Sequence, residues 1–347
     1  RFADRLGRPP LTLHARHIAP TSPYVADGAA GADEAEWWVD DHAAHPIDPE
    51  FFRRWFDDAV RWGATVIEQD WMLMYWFGIR ELRARPERAA EWQRALNRHA
   101  RATGVDLLWC MATPADLMLA ASLERVVAVR TSDDYRFADD PALLWTWYLT
   151  VNRMTNTLGL PAFKDCFFSR HDVGEGDEPI DGDRHAALEA LLAALSAGPV
   201  GIGDRIGRTD RDVVMRTCDD DGRIRRIDRG LAAIDDCLFG APKRGERLMW
   251  ATTTATTPHG EWTYVVVINT ASDRRTIADR FDLGRTRTVY DWRERDVSSH
   301  VDLQVRLAPR DWALFVVSPP GQPAAPSVGD ARKYVVVESD RSESRAR

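Results

Sequence analysis

The alternation of two periodicities constrains this chain most. Short apolar runs at 11–19, 65–70, 106–111, 126–132, 162–168 and 200–204 are separated by stretches with apolar residues at helical spacing. Several of the intervening helices carry their own boundary signals. Asp48 and Pro49 suit the start of a helix that Gly63 ends, with Phe51, Phe52, Trp55, Phe56, Ala59 and Val60 forming its apolar stripe. A second helix runs from about Pro86 to Gly104, a short one from 114 to 124, another from Asp140-Pro141 to Gly159, and a last one over about 183–197 up to Gly198. Strands that alternate with helices pair in parallel.

The strands start apolar and end polar. That polarity marks a (β/α)8-type (TIM) barrel, whose sites lie at the C-terminal ends of its strands. An open, doubly wound sheet is the competing arrangement, but no Gly-x-Gly-x-x-Gly turn follows a strand. A complete barrel has eight strands, and only six are read here. The chain also begins with arginine rather than methionine, so the barrel is expected to be incomplete at its N-terminus.

After about residue 220 the texture changes. The runs "RLMWATTTAT", "EWTYVVVINT", "RTRTVYDW" and "WALFVVS" are β-branched and aromatic, with turn residues between them and no helical period. An antiparallel β-sandwich domain is expected over 220–320, after a barrel domain over 1–219. Residues 321–347 are Pro-rich and then charged, and read as a largely disordered tail in which "KYVVVE" could add an edge strand.

Composition narrows the function. A net charge of −8, with both signs interspersed, lacks the basic face that nucleic acid requires. No run approaches the roughly eighteen apolar residues of a membrane span. Cys110, Cys166, Cys218 and Cys237 are scattered without a C-x-x-C pair, which disfavours a zinc site and suits buried thiols in a reducing, cytoplasmic setting. Tryptophan, at 14 residues, supplies either core or the aromatic floor of a sugar cleft.

The strand ends give His14 and His17, Glu68 and Asp70, Cys110, Arg130 with Asp133 and Asp134, Lys164 with Asp165, and Asp204. Converging carboxylates suit glycoside hydrolysis, a hard-metal site, or a structural rim of ion pairs. His14 and His17 point to opposite faces of a strand, which argues against joint chelation, and no metal or other cofactor is expected. Glu68 and Asp70 share a face, so either could act as the nucleophile. Trp71 and Trp109 are candidates for sugar stacking, Cys110 for lining the pocket, and His14 or His17 for binding a hydroxyl. Asp133 is expected to be structural.

The segment "VVAVRTSDDYR" resembles the acid/base segment of the alpha-galactosidase and raffinose-synthase group of glycoside hydrolases, in which the catalytic aspartate follows an arginine or tryptophan by four positions. Arg130 and Asp134 match that spacing. "GATVIEQDWM" resembles the group's nucleophile strand, which places that role on Asp70. "LLWCMAT", "PAFKDCFFS", "AGPVGIGDRIGRTD" and "DDCLFG" resemble further segments in the same order, with Asp165 and Asp204 matching. The resemblance spans about 11–318. It implies a retaining hydrolase or transglycosidase for an alpha-linked sugar, with Asp70 and Asp134 catalytic and Glu68, Trp71, Trp109, Cys110, Arg130, Lys164, Asp165, Asp204 and His17 around the substrate. The group carries a lysine two positions before the nucleophile, where this chain has Glu68, and a non-catalytic carbohydrate-binding descendant is the alternative.

Overall fold

The computed structural model describes residues 7, 9–26, 36–134, 140–171, 183–239, 246–271 and 275–340. The chain forms two compact units, Arg1–Arg130 and Thr131–Arg347.

In the first unit, strands β1 (Leu11–Ala15), β4 (Ala64–Gln69), β5 (Asp106–Trp109) and β6 (Val126–Arg130) lie side by side in parallel. Between β1 and β4 the chain forms a short hairpin of β2 (Trp37–Val39) and β3 (Ala44–Pro46), where the sequence reads as loop. The helix Phe51–Trp62 buries Phe52, Phe56 and Ala59, and Gly63 ends it with φ 93°, a conformation in which a side chain would be strained. Asp48 stands two residues further out than a cap would, accepting the Glu50 N–H at 2.9 Å. Helices Met72–Gly78, Arg80–Ala84, Pro86–Thr103 and Pro114–Ala120 complete the unit. Buried Asp116 ties three of them together. It accepts from Gln93 Nε2 at 2.6 Å, from Trp76 Nε1 at 3.0 Å and, in a capping box, from the Thr113 N–H at 2.8 Å.

The second unit opens with a long helix, Pro141–Leu158, capped by Asp140 and ended by Gly159. The expected strand 162–168 reduces to β7 (Ala162–Phe163) and a parallel bridge from Phe167 to Ile202, and that bridge is all that forms of the expected strand 200–204. Gly198, after the helix Ala186–Ala194, lies so close to the Ala162 carbonyl that a Cβ there would sit 2.4 Å from its oxygen.

A six-stranded antiparallel sheet follows, in the order β12 (Asp296–Leu307), β11 (Ile277–Asp291), β13 (Trp312–Val317), β10 (Gly260–Ile268), β9 (Met249–Thr257), β8 (Ala232–Ala233). One face packs on the helices Pro141–Leu158 and Ala186–Ala194 through Tyr264, Val266, Leu314 and Val316. The other packs Trp250, Val265 and Val267 against Leu303 and Leu307 of the long β11–β12 hairpin, which makes two layers from one sheet. Double coverage explains why β13 reads as an unbroken apolar run rather than an alternation.

The tail departs from expectation. Tyr334, Val335, Val336 and Val337 are buried in the core shared by the sheet and the helices, although they form no strand. The Val337 N–H donates to Tyr264 Oη at 2.7 Å, and Trp292 Nε1 donates to the Lys333 carbonyl at 2.8 Å. Burying each of these side chains stabilises the fold by roughly 1.5–3 kcal/mol, enough to order a segment whose surrounding composition reads as loose. Residues 341–347 lie outside the described residues.

Candidate active site

In the first unit the parallel register decides what meets at the strand ends. His14 of β1 stands opposite Glu68 of β4, and Glu68 opposite Leu108 of β5. Asp70 therefore emerges between the ends of β1 and β5. Its N–H donates to the Ala15 carbonyl at 2.7 Å, and the Cys110 N–H donates to the Gln69 carbonyl at 2.9 Å, so the backbone is held from both sides. The side chain is held as firmly. Oδ2 lies 2.9 Å from His14 Nε2, and Oδ1 accepts the Trp71 N–H at 2.7 Å.

Asp70 is only 5 % exposed. Burial pushes its pKa up, but hydrogen bonds from Cys110, His14 and the Trp71 amide, with the Arg130 charge, outweigh that and leave it below the ordinary value. Glu68, two residues back, moves the other way. Burial raises its pKa, the neighbouring Asp70 charge adds to the rise, and His14 and Arg130 only partly offset it. Burial also pushes the Cys110 thiol well up, so it stays protonated and donates to Asp70. The arrangement keeps one carboxylate ionised beside a second that is more readily protonated.

Two residues after these strands hold left-handed backbone without being glycine: Trp71 at φ 58° and Met111 at φ 50°. Such positions cost about 1–3 kcal/mol and persist where surrounding contacts hold them. Here the Leu73 N–H bonds the Met111 carbonyl at 3.0 Å, joining the two turns. The Trp71 indole carries Arg16 over its ring at 4.8 Å and the His17 ring at 5.2 Å. His17, half-buried with its pKa lowered chiefly by burial, packs on the indole.

The other sequence candidates are placed differently. Trp109 is fully buried at the end of β5 and presents no face to a ligand. Lys164 is buried in the second unit in an ion pair with Glu189, which also accepts from Trp145 Nε1, so its ammonium serves the core. Asp165 accepts the Cys166 N–H at 2.9 Å, and its own N–H donates to Ser132 Oγ. Asp204 holds Ser169 through its N–H at 2.8 Å and its Oγ at 2.6 Å. Asp134 is exposed, with its N–H donating to Asp133 Oδ1 at 2.8 Å, so Asp133 orients the turn. The residue that sequence reasoning undervalued is His14: only the β1–β4 register shows that it reaches Asp70. Glu189 was missed altogether, although an acid inside "ALEALLAAL" was a signal. Among the described residues, no group of three His, Cys, Asp or Glu side chains is placed to hold a metal ion.

No family profile matches the chain. Over 166 residues, 45 % of this chain, it is 31 % identical to a galactinol–sucrose galactosyltransferase from rice, of which it covers 19 %. The chain thus spans about a fifth of that relative's length. Among solved structures, a GH27 β-L-arabinopyranosidase from Geobacillus stearothermophilus superposes on it with a TM-score of 0.62 at 14 % identity, covering 93 % of this chain and 77 % of that one. A candidate alpha-galactosidase from Bacteroides fragilis superposes at 0.54 with 14 % identity, covering 91 % and 64 %. The fold is therefore that of a partial (β/α) barrel, five parallel strands among the described residues, followed by an antiparallel β-domain, and the likeness read from the motifs is met independently in sequence and in fold.

Proposed function

We propose that the chain is the catalytic part of a retaining glycosidase acting on an alpha-linked sugar, with Asp70 as nucleophile and Asp134 as acid/base. The observation that carries this reading is the electrostatic state of Asp70: a buried carboxylate held ionised and rigid at the C-terminal end of a parallel strand. In the proposed first step the Asp70 carboxylate bonds to the anomeric carbon as the glycosidic C–O bond breaks, and Asp134 delivers a proton to the departing oxygen. In the second, Asp134 takes the proton from an incoming hydroxyl that attacks the same carbon and releases Asp70. Glu68 in its protonated form donates to a sugar hydroxyl, Arg130 favours the ionised state of Asp70, and Trp71 offers an aromatic face.

The incoming hydroxyl is either water or a second sugar. Likeness to a galactosyltransferase favours an acceptor sugar as the second reading. The test is turnover of an aryl alpha-galactoside by the wild type, D70N, E68Q and D134N, with and without sucrose. Labelling of Asp70 by a mechanism-based fluoroglycoside would support the assignment. Labelling of Glu68 would move the nucleophile. Absence of turnover and labelling, with sugar still raising Tm, would leave a carbohydrate-binding protein.

A further inference from the structure

A cavity of about 280 Å³ lies within the second unit, lined among others by Ser169, His171, Arg184, His185, Asp210 and Arg310. The glycosidase reading uses none of the four basic groups. We propose that this cavity is a binding site for a small oxyanion such as phosphate, sulfate or a carboxylate.

The donors are in surplus and the acids are already engaged. Arg310 spends one guanidinium nitrogen on Asp140 Oδ1 at 3.0 Å, while its Nη1 is buried with no hydrogen-bond partner. A buried guanidinium N–H without an acceptor costs free energy that a bound anion recovers. Asp311 is paired with Arg293 Nη1 at 2.8 Å, and Asp210 Oδ1 accepts the Asp212 and Val213 amides. Ser169 Oγ is committed between Asp204 and the Asp210 N–H. Arg184 and His171 have no ion-pair partner among the described residues. The nine-residue helix Ala186–Ala194 starts at this cavity. Its Ala186 N–H bonds the Asp183 carbonyl and its Glu189 N–H the His185 carbonyl, but the Ala187 and Leu188 amides have no acceptor among the described residues. Free amides at a helix start favour negative charge. The volume is at or below the small end of ligand cavities, which fits an oxyanion rather than a whole oligosaccharide.

His185 makes the site responsive to pH. Its ring stands edge-on to Trp145 at 5.0 Å, and its backbone N–H donates to Asp183 Oδ1. Burial lowers its pKa, the Glu189 charge opposes this, and Arg310, His171 and Arg184 lower it further. An anion reverses that crowding of positive charge and promotes proton uptake, so binding tightens as pH falls.

The test is calorimetric titration of inorganic phosphate into the full chain at low ionic strength, with sulfate and acetate as separate arms and chloride as the control. Saturable binding is expected, weakened about tenfold in R184Q, partly kept in R184K, and tighter at about pH 5.5 than at about pH 7.5. H185Q is expected to reduce the pH dependence. Binding of phosphate and sulfate but not acetate selects a tetrahedral oxyanion; binding of acetate selects a carboxylate. Circular dichroism confirms that each variant is folded. No saturable binding in any arm, or equal affinity in folded R184Q, overturns the proposal.

Discussion

Asp70 and Lys164 both read in the sequence as charged residues near the end of an apolar run, and the structure gives them opposite fates. Asp70 is buried among groups that hold it ionised, with His14, its partner, itself 48 % exposed. Lys164 is buried with a partner that is fully buried as well, inside the core of the second unit. A charge whose partner still reaches solvent retains access to a ligand. A charge enclosed with its counter-ion is structural, because separating the pair would leave one ion unpaired in an apolar surrounding. The difference shows that the residue type at a strand end matters less than where its partner lies.

Four substitutions sharpen the contrast. The largest effect is expected for D70N, which removes the proposed nucleophile: kcat falls about 10⁴-fold, about 5.5 kcal/mol, while stability changes by only about 1–2 kcal/mol. Steady-state kinetics beside urea denaturation measures both. E189Q should do the reverse. Leaving Lys164 without its counter-charge costs about 3–5 kcal/mol in stability, with kcat of the folded fraction close to wild type. A kcat loss in E189Q as large as that in D70N would break the comparison. D116N, which disturbs the buried network joining the helices of the first unit, is expected to cost about 1–3 kcal/mol in denaturation.

The smallest effect concerns pH. The folded pKa of Asp70 is depressed, so its contribution to stability is present above its unfolded pKa and is lost as pH falls through the folded value. His14 contributes to that depression. H14Q should therefore raise the Asp70 pKa and move the acid limb of kcat/KM to higher pH, with about a tenfold loss of kcat at neutral pH. An unmoved acid limb would separate His14 from the ionisation of Asp70.

The sequence showed much of the fold for local reasons. Gly63, Gly104 and Gly159 end helices in the left-handed conformation, and Asp140 caps one, as their spacing implied. Asp70 was also legible, because an acid closing an apolar strand before a tryptophan is a local pattern. The Pro-rich and charged composition around "KYVVVE" misled, since the burial of Tyr334 to Val337 depends on helices more than a hundred residues earlier. Trp109 misled for a similar reason: a strand-end indole can face a ligand or the core, and the pleat alone does not say which.

By itself, then, the chain determined the order of strands and helices, the change from parallel to antiparallel texture, and the aspartate on which a chemical reading rests. Those depend on backbone preferences and periodicity acting over a few residues. The tertiary structure alone decided that His14 meets Asp70 and that Lys164 meets Glu189, and it assembled the basic cavity around Arg310. Each joins residues distant in sequence, so register and packing place them, and the resulting burial and charge set their chemistry.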